Sequence, residues 1–298
     1  MKIDGREIGK SLNILQERAD LHLHTKASDG IYTPAEVVQK AVQNNISAIA
    51  ITDHDTTEGI KEAVLEGVVQ GIQVYPGIEL SVSFQPIMHI LGLFIDIEND
   101  RLKKHIARVN RLRKSLIVKG FKQVSKYGII VTPAQVIANK QILSLKSLVE
   151  YLVENNFVAN RKEIDTIIKD IWQEWYINLP DIKETIELIH ECNGIAVLAH
   201  AKTLNLDDIN LEMTLTKLKQ YGLDGIEIYH PKHTLLDRQK YKLYAERIGL
   251  LYSGGSDFHG NEEANTMASG ENSIEFSDFL KLKEKCRKGI YESKSRGF

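Results

Sequence analysis

The sequence predicts an α/β fold, a βα barrel interrupted by a helical insertion, and three observations carry that prediction. Short apolar runs of strand type alternate with helical periods over residues 19–97 and again after residue 181. Between them, residues 98–180 are helical in period, rich in charge and poor in strand signal. Histidines and carboxylates fall where the apolar runs finish, which is where βα barrels gather their catalytic side chains. A chain of 298 residues is long enough for one such barrel or for two smaller domains.

In order, residues 6–17 read as a short amphipathic helix on Ile8, Leu12 and Leu15. A strand over residues 19–24 ends in His22 and His24, whose i, i+2 spacing turns both imidazoles to one face. Asp29 and Gly30 form the turn that follows. Thr33, Pro34 and Glu36 are a helix start, with an N-cap, an N1 proline and an N3 glutamate, and Asn45 closes the helix. A buried strand over residues 48–52 runs into Asp53-His54-Asp55. A helix over residues 58–70 stops at Gly71. Residues 72–78 then lead to Glu79, and residues 87–94 are extended and contain His89. Residues 103–127 make one long helix, with shorter helices behind it. The βα rhythm resumes with helices over 182–192, 208–221 and 234–248. These precede strands at 196–200, 225–230 and 250–259, and a last helix starts at Ser277.

The totals exclude several classes. A formal net charge of −2 offers no global basic field for nucleic acid, although a local cationic pocket for a small phosphorylated ligand remains open. Cys192 and Cys286 have no ligand-like spacing. The N-terminus lacks a signal-type apolar core and no run approaches membrane-spanning length, so a cytoplasmic protein is expected.

Most of the ten histidines stand at strand ends. His22, His24, His54, Glu79, His89, His200, His230, Asp257 and His259 would form a ring of imidazoles and carboxylates on one barrel face, and Asp257-x-His259 repeats the geometry of His22-x-His24. Such a mixed nitrogen and oxygen set suits Zn²⁺, Mn²⁺ or Fe²⁺.

The segments HLHTKASDG, AITDHDT, GIELS, HILGLF, AVLAH, GIEIYHPKH and GGSDFHG together resemble the polymerase-and-histidinol-phosphatase (PHP) family of metal-dependent phosphoesterases. They come in the family's order and cover residues 19–94 and 195–260. The resemblance implies a distorted seven-stranded TIM-like barrel over residues 1–97 and 181–298, with residues 98–180 as an inserted helical lid. It also implies up to three divalent ions (manganese, iron or zinc). One would sit on His22, His24, Glu79 and Asp257, a second on Asp29, His54 and His259, and a third on Glu79, His89 and His200, with Glu79 bridging. The catalytic set is then expected to be His230, Asp29 and Glu79. Asp53 either orients a ligand imidazole or caps a helix.

For substrate, Arg108, Arg111, Arg113 and Lys114 cluster on the first insertion helix. They form either a solvated face or a phosphate site, for which the resemblance favours Arg113, with Arg111 beside it. His230 and His233 match positions that contact phosphate or donate a proton in similar phosphatases. Those relatives carry Arg-Pro-His on the next lid helix where this chain has Leu145-Lys146-Ser147. The expected reaction is hydrolysis of a phosphate monoester of AMP or 3',5'-nucleoside bisphosphate type by metal-activated water. Alternatives are a 5'-3' exonuclease on short oligonucleotides, a histidinol-phosphatase-like enzyme, or a non-catalytic metal-binding regulatory module. An amidohydrolase barrel also begins with HxH, but a bridging glutamate and a terminal DxH favour the phosphoesterase. No membrane and no stable protein partner are expected.

Overall fold

The computed structural model describes residues 17–140, 143–260, 267 and 272–295. Almost all of the helix expected over residues 6–17 therefore lies outside the described residues. The first half of the barrel runs β1 (Arg18–Leu23), α1 (Pro34–Gln43), β2 (Ala48–Ile51), α2 (Ile60–Gln70), β3 (Gln73–Val82) and β4 (Met88–Leu93). Thr33 and Glu36 close the expected capping box at the start of α1, and Gly71 ends α2 at a φ of 73°. The insertion follows as α3 (Asp100–Lys126), α4 (Pro133–Lys140), α5 (Leu145–Glu154), α6 (Arg161–Ile167) and α7 (Lys169–Asn178). The second half is α8 (Ile182–Glu191), β5 (Ile195–Leu198), α9 (Asp208–Gln220), β6 (Gly225–Tyr229), α10 (Leu235–Ile248), β7 (Leu251–Gly254), β8 (Ile274–Glu275) and α11 (Phe276–Ser295).

The strands form one sheet in the order β7-β6-β5-β4-β3-β2-β1-β8. It is nearly closed, because the chain beyond β7 returns to β1. There the Asp257 amide donates to the His22 carbonyl at 2.9 Å and the His24 amide to the Phe258 carbonyl at 3.0 Å. Seven strands were expected, and the eighth is the two-residue β8, which pairs antiparallel with β1. A pair that short carries no periodicity in sequence.

One departure from a simple βα array bears on the site. β4 is antiparallel to both β3 and β5. His89 lies near the start of β4, not at its end. Because the strand runs in reverse, its first residues still reach the face where the parallel strands finish.

The helix-facing side of the sheet is apolar, with Ile78, Leu80, Ile90, Leu198, Ile226 and Ile228 fully buried against α8, α9 and α10, while Leu91, Leu93 and Val197 pack on the side that carries Glu79 and His89. Helices α3–α7 gather a second apolar cluster of their own, including Val109, Leu116, Leu148, Leu152, Ile164 and Trp175. Among the described residues no helix is long and apolar enough to cross a membrane.

Candidate metal centre

The strand ends bring the expected ligands together. Glu79 on β3 is fully buried at the middle of the ring. Its Oε2 lies 3.3 Å from His22 Nε2, 3.3 Å from His24 Nε2 and 3.0 Å from His54 Nδ1. Its Oε1 lies 3.0 Å from His89 Nδ1 and 2.9 Å from His200 Nε2. Asp257 Oδ1 faces His22 Nε2 at 3.4 Å and His24 Nε2 at 3.2 Å. On the outer side, Asp29 Oδ1 stands 3.1 Å from His259 Nε2, and its Oδ2 stands 3.9 Å from His54 Nε2.

Backbone geometry makes this convergence possible. His200 and Asp257 sit at φ values of 29° and 52°, a left-handed conformation that costs energy outside glycine and asparagine. Gly255 lets the chain after β7 press against β1, since a Cβ there would come within 2.4 Å of the His22 Cβ.

Charge and burial pull the ring in opposite directions. Burial disfavours the His24 imidazolium, but the carboxylates of Asp257 and Glu79 outweigh it and push its pKa up to about 10. His22 moves the same way against burial, raised by Glu79, Glu227 and Asp257. Burial alone would raise Glu79, yet His54, His89 and His22 hold its carboxyl well below the usual range. For His54 and His200 burial prevails and both are lowered.

The donor set fits divalent ions. His22 Nε2, both ring nitrogens of His24, His54 Nδ1 and Glu79 Oε2 are buried with no hydrogen-bond partner among the described residues. Buried polar atoms are rarely left so, and these all point to one shared space. Each of three groups keeps its ligand atoms within 4.8 Å: His24, Asp29, His54 and His259; His22, His24 and Asp257; His22, Glu79 and His200. A fourth such group is His54, Glu79 and His89.

Sequence reasoning missed two acidic residues of this site. Glu227, fully buried on β6, places Oε1 3.0 Å from His22 Nδ1 and accepts the His200 amide at 2.6 Å. It thereby fixes which nitrogen of His22 faces the ring, as a carboxylate behind a ligand imidazole does. The signal was a glutamate inside the apolar run GIEIY, at a strand end whose next histidine drew the attention. Asp20 accepts the amides of His22 (3.3 Å) and Ser256 (3.0 Å), joining β1 to the Asp257 loop.

Other expectations are redrawn. The hydrogen bonds described for Asp53 run to the turn after β1, not to a ring imidazole or a helix end. Its carboxylate accepts the Thr25 amide (2.7 Å), the Thr25 hydroxyl (2.8 Å) and the Ser28 hydroxyl (2.5 Å). It holds the turn that carries Asp29. His230 is buried, with Nε2 3.2 Å from Asp257 Oδ2, and the Lys232 amide donates to its Nδ1 at 3.1 Å, which leaves the neutral ring's proton on Nε2. His233, expected at phosphate, is only 3% exposed. It donates Nδ1–H to the Ile228 carbonyl at 3.0 Å, and burial pushes its pKa down to about 4. Its ring lies 5.1 Å from that of His230, so it backs that residue instead of meeting solvent.

From the insertion, Arg113 pairs with Asp55 and Lys146 Nζ comes within 3.6 Å of Asp29 Oδ2. Arg111 is exposed on α3, outside the hydrogen bonds and ion pairs described for the ring. Lys232 Nζ is 3.8 Å from Asp257 Oδ2 on the barrel side. Cations thus rim an otherwise acidic and imidazole-lined centre.

A barrel face built this way defines a metal-dependent phosphoesterase, a hydrolase of phosphoester bonds. The chain matches the PHP domain over residues 20–177, more than half its length, and belongs to the PHP family. It is 29% identical to a 5'-3' exoribonuclease of Haemophilus influenzae, over 82% of this chain and 91% of that one. It is also 29% identical to a 3',5'-nucleoside bisphosphate phosphatase of Chromobacterium violaceum, over 82% and 88%. A solved structure from Bifidobacterium adolescentis, assigned as a metal-dependent phosphoesterase, superposes with a TM-score of 0.72 at 25% identity, over 89% of this chain and 95% of that one.

Proposed function

We propose that the ring holds two or three divalent ions and that the chain hydrolyses a phosphate monoester of a small nucleotide-like metabolite, of AMP or 3',5'-nucleoside bisphosphate type. The observation that carries this reading is Glu79, one fully buried carboxylate on which five imidazole nitrogens converge. In it His22, His24, Glu79 and Asp257 hold one ion, Asp29, His54 and His259 a second, and Glu79, His89 and His200 a third. Bound divalent ions supply a water of lowered pKa and stabilise negative charge on phosphoryl oxygens. Manganese, iron and zinc all suit mixed imidazole and carboxylate donors.

The chain's own residues do the rest. Glu79 keeps adjacent cations close by setting one negative charge between them. Glu227 holds His22 in register. His230, with its Nε2–H beside Asp257, donates a hydrogen bond to the phosphate or to the departing alcohol oxygen, without giving up its proton. Arg113 and Lys146, from the insertion acting as a lid, meet the phosphate and the remainder of the substrate.

A second reading, removal of nucleotides from the 5' end of short RNA, draws support from the exoribonuclease relative and from the cationic rim. One experiment separates the two. Metal-free protein, reloaded with Mn²⁺, is given AMP, adenosine 3',5'-bisphosphate and a 5'-phosphorylated trinucleotide, with chelator controls. Inorganic phosphate from the mononucleotides supports the monoesterase reading, and mononucleotide release from the trimer supports the exonuclease. Chelator-resistant turnover, or none on any of the three, would remove both.

A further inference from the structure

We propose that Asp55 is a positioning residue for substrate binding: a buried carboxylate that fixes the Arg113 guanidinium at the rim of the metal ring. The inference rests on the reading above, in which the ring acts on a phosphate. Asp55 directly follows the ring residue His54, and its amide donates to the carbonyl of Glu79 at 2.9 Å. Its side chain is fully buried and accepts the Ser81 amide and hydroxyl at 3.1 Å each. The remaining partner comes from far along the chain, as Arg113 Nη2 on α3 bridges Asp55 Oδ2 and the Ser81 hydroxyl. Asn110, one turn earlier on α3, donates to the Asp55 carbonyl at 3.5 Å.

This arrangement exceeds what fastening a helix requires. A buried carboxylate needs a cation or several donors, and Arg113 completes that set. Asp55 reaches it only by adopting a φ of 50°, a left-handed conformation that L residues rarely adopt. The guanidinium is further held over the Trp175 ring at 4.9 Å, yet the Arg113 side chain stays 33% exposed. One edge and one face are therefore committed, and the exposed part of a rigid fork is presented to solvent. An arginine already fixed loses little freedom on meeting a phosphate, so its anchor contributes to affinity without touching the ligand. Because Asp55 hangs on the same backbone as His54 and on the Glu79 strand, the fork's position is tied to the ring.

The test uses metal-loaded protein in four forms: wild type, Asp55→Asn, Arg113→Ala and the double variant. Inorganic phosphate is titrated in by isothermal calorimetry, which reads binding in all four proteins alike, and metal content is measured alongside. Asp55→Asn should weaken phosphate binding about five- to tenfold, less than the loss of a whole charge-assisted contact because Arg113 itself remains, at unchanged metal content. The double variant should match Arg113→Ala within about twofold, since Asp55 acts through the arginine. With AMP as substrate, Asp55→Asn should raise KM by a similar factor and leave kcat within about twofold. Equal phosphate affinity in all four proteins, additive losses in the double variant, or metal loss in Asp55→Asn would overturn the positioning role. Absence of turnover on any phosphoester would instead strike the reading it rests on, while the phosphate titration still decides for or against Asp55.

Discussion

Glu79→Gln is the most informative single change in this protein. It keeps the shape of the side chain and one oxygen donor but removes the negative charge from the centre of the ring. That charge faces His22, His24, His54, His89 and His200 at 2.9–3.3 Å, with no solvent between. At an effective dielectric of about 20, unit charges about 4 Å apart interact by about 4 kcal/mol, or roughly a thousandfold in affinity. The amide oxygen retains part of the ligation, so each ion held by Glu79 should bind about a hundredfold to a thousandfold more weakly. Two assays read this out: metal content after desalting, and phosphate release across a Mn²⁺ titration, with far-UV circular dichroism to show that the barrel persists. Turnover should disappear at micromolar Mn²⁺ and return in part at millimolar Mn²⁺. Near-normal turnover with full metal content would refute the bridging role and the electrostatic reasoning behind it.

The titration of His24 leads to the next expectation. Its folded pKa of about 10 exceeds the ordinary 6.5, so between these values the folded metal-free chain keeps a proton that the unfolded chain has lost. Stability from this group is complete below pH 6.5 and is lost as pH rises towards 10, so the Tm of chelated protein should fall across that window. A Tm that is flat or rises there would contradict it. Metal binding at pH 7.5 should also expel at least about one proton per chain, measured by calorimetry in buffers of different ionisation heat. Glu227→Gln should cost about tenfold to a hundredfold in metal affinity or kcat, because His22 loses the carboxylate behind it. An unchanged variant would mean the 3.0 Å contact is idle. Arg113→Ala should lower kcat/KM on a nucleotide about tenfold to a hundredfold, and less on a small aryl phosphate. Arg108→Ala, exposed on the same helix, should behave as wild type, and equal kinetics for both would reduce the arginines to a solvated face.

What the sequence disclosed of the site followed from chain locality. HxH at residues 22–24 sets two ligands by the two-residue period of an extended chain, whereas Asp257 and His259 reach the ring from beyond β7, with Asp257 at a φ of 52°. Residues finishing apolar runs could therefore be assigned to one face without knowing how strands pair. His89 falls in the ring although its strand runs backwards, because periodicity marks a strand but not its direction. Asp53 and Asp55 flank His54 symmetrically in sequence. Only the fold distinguishes the one that holds the Thr25–Ser28 turn from the one that anchors Arg113. Glu227 was hidden for a related reason. Inside an apolar strand it reads as an interruption until the closed sheet brings His22 to its carboxylate across the barrel. The short β8 and the pairing of Lys146 with Asp29 depend likewise on long-range closure, which local pattern does not encode.

The central claim is that one buried carboxylate organises more than one divalent ion. Its most direct test is the metal-to-chain ratio of fully active protein, found by elemental analysis of samples reconstituted stepwise with Mn²⁺ while phosphate release is followed. The account predicts that activity keeps rising beyond one equivalent and saturates at two to three. Saturation of activity at a single equivalent, with no further tight binding, would contradict it.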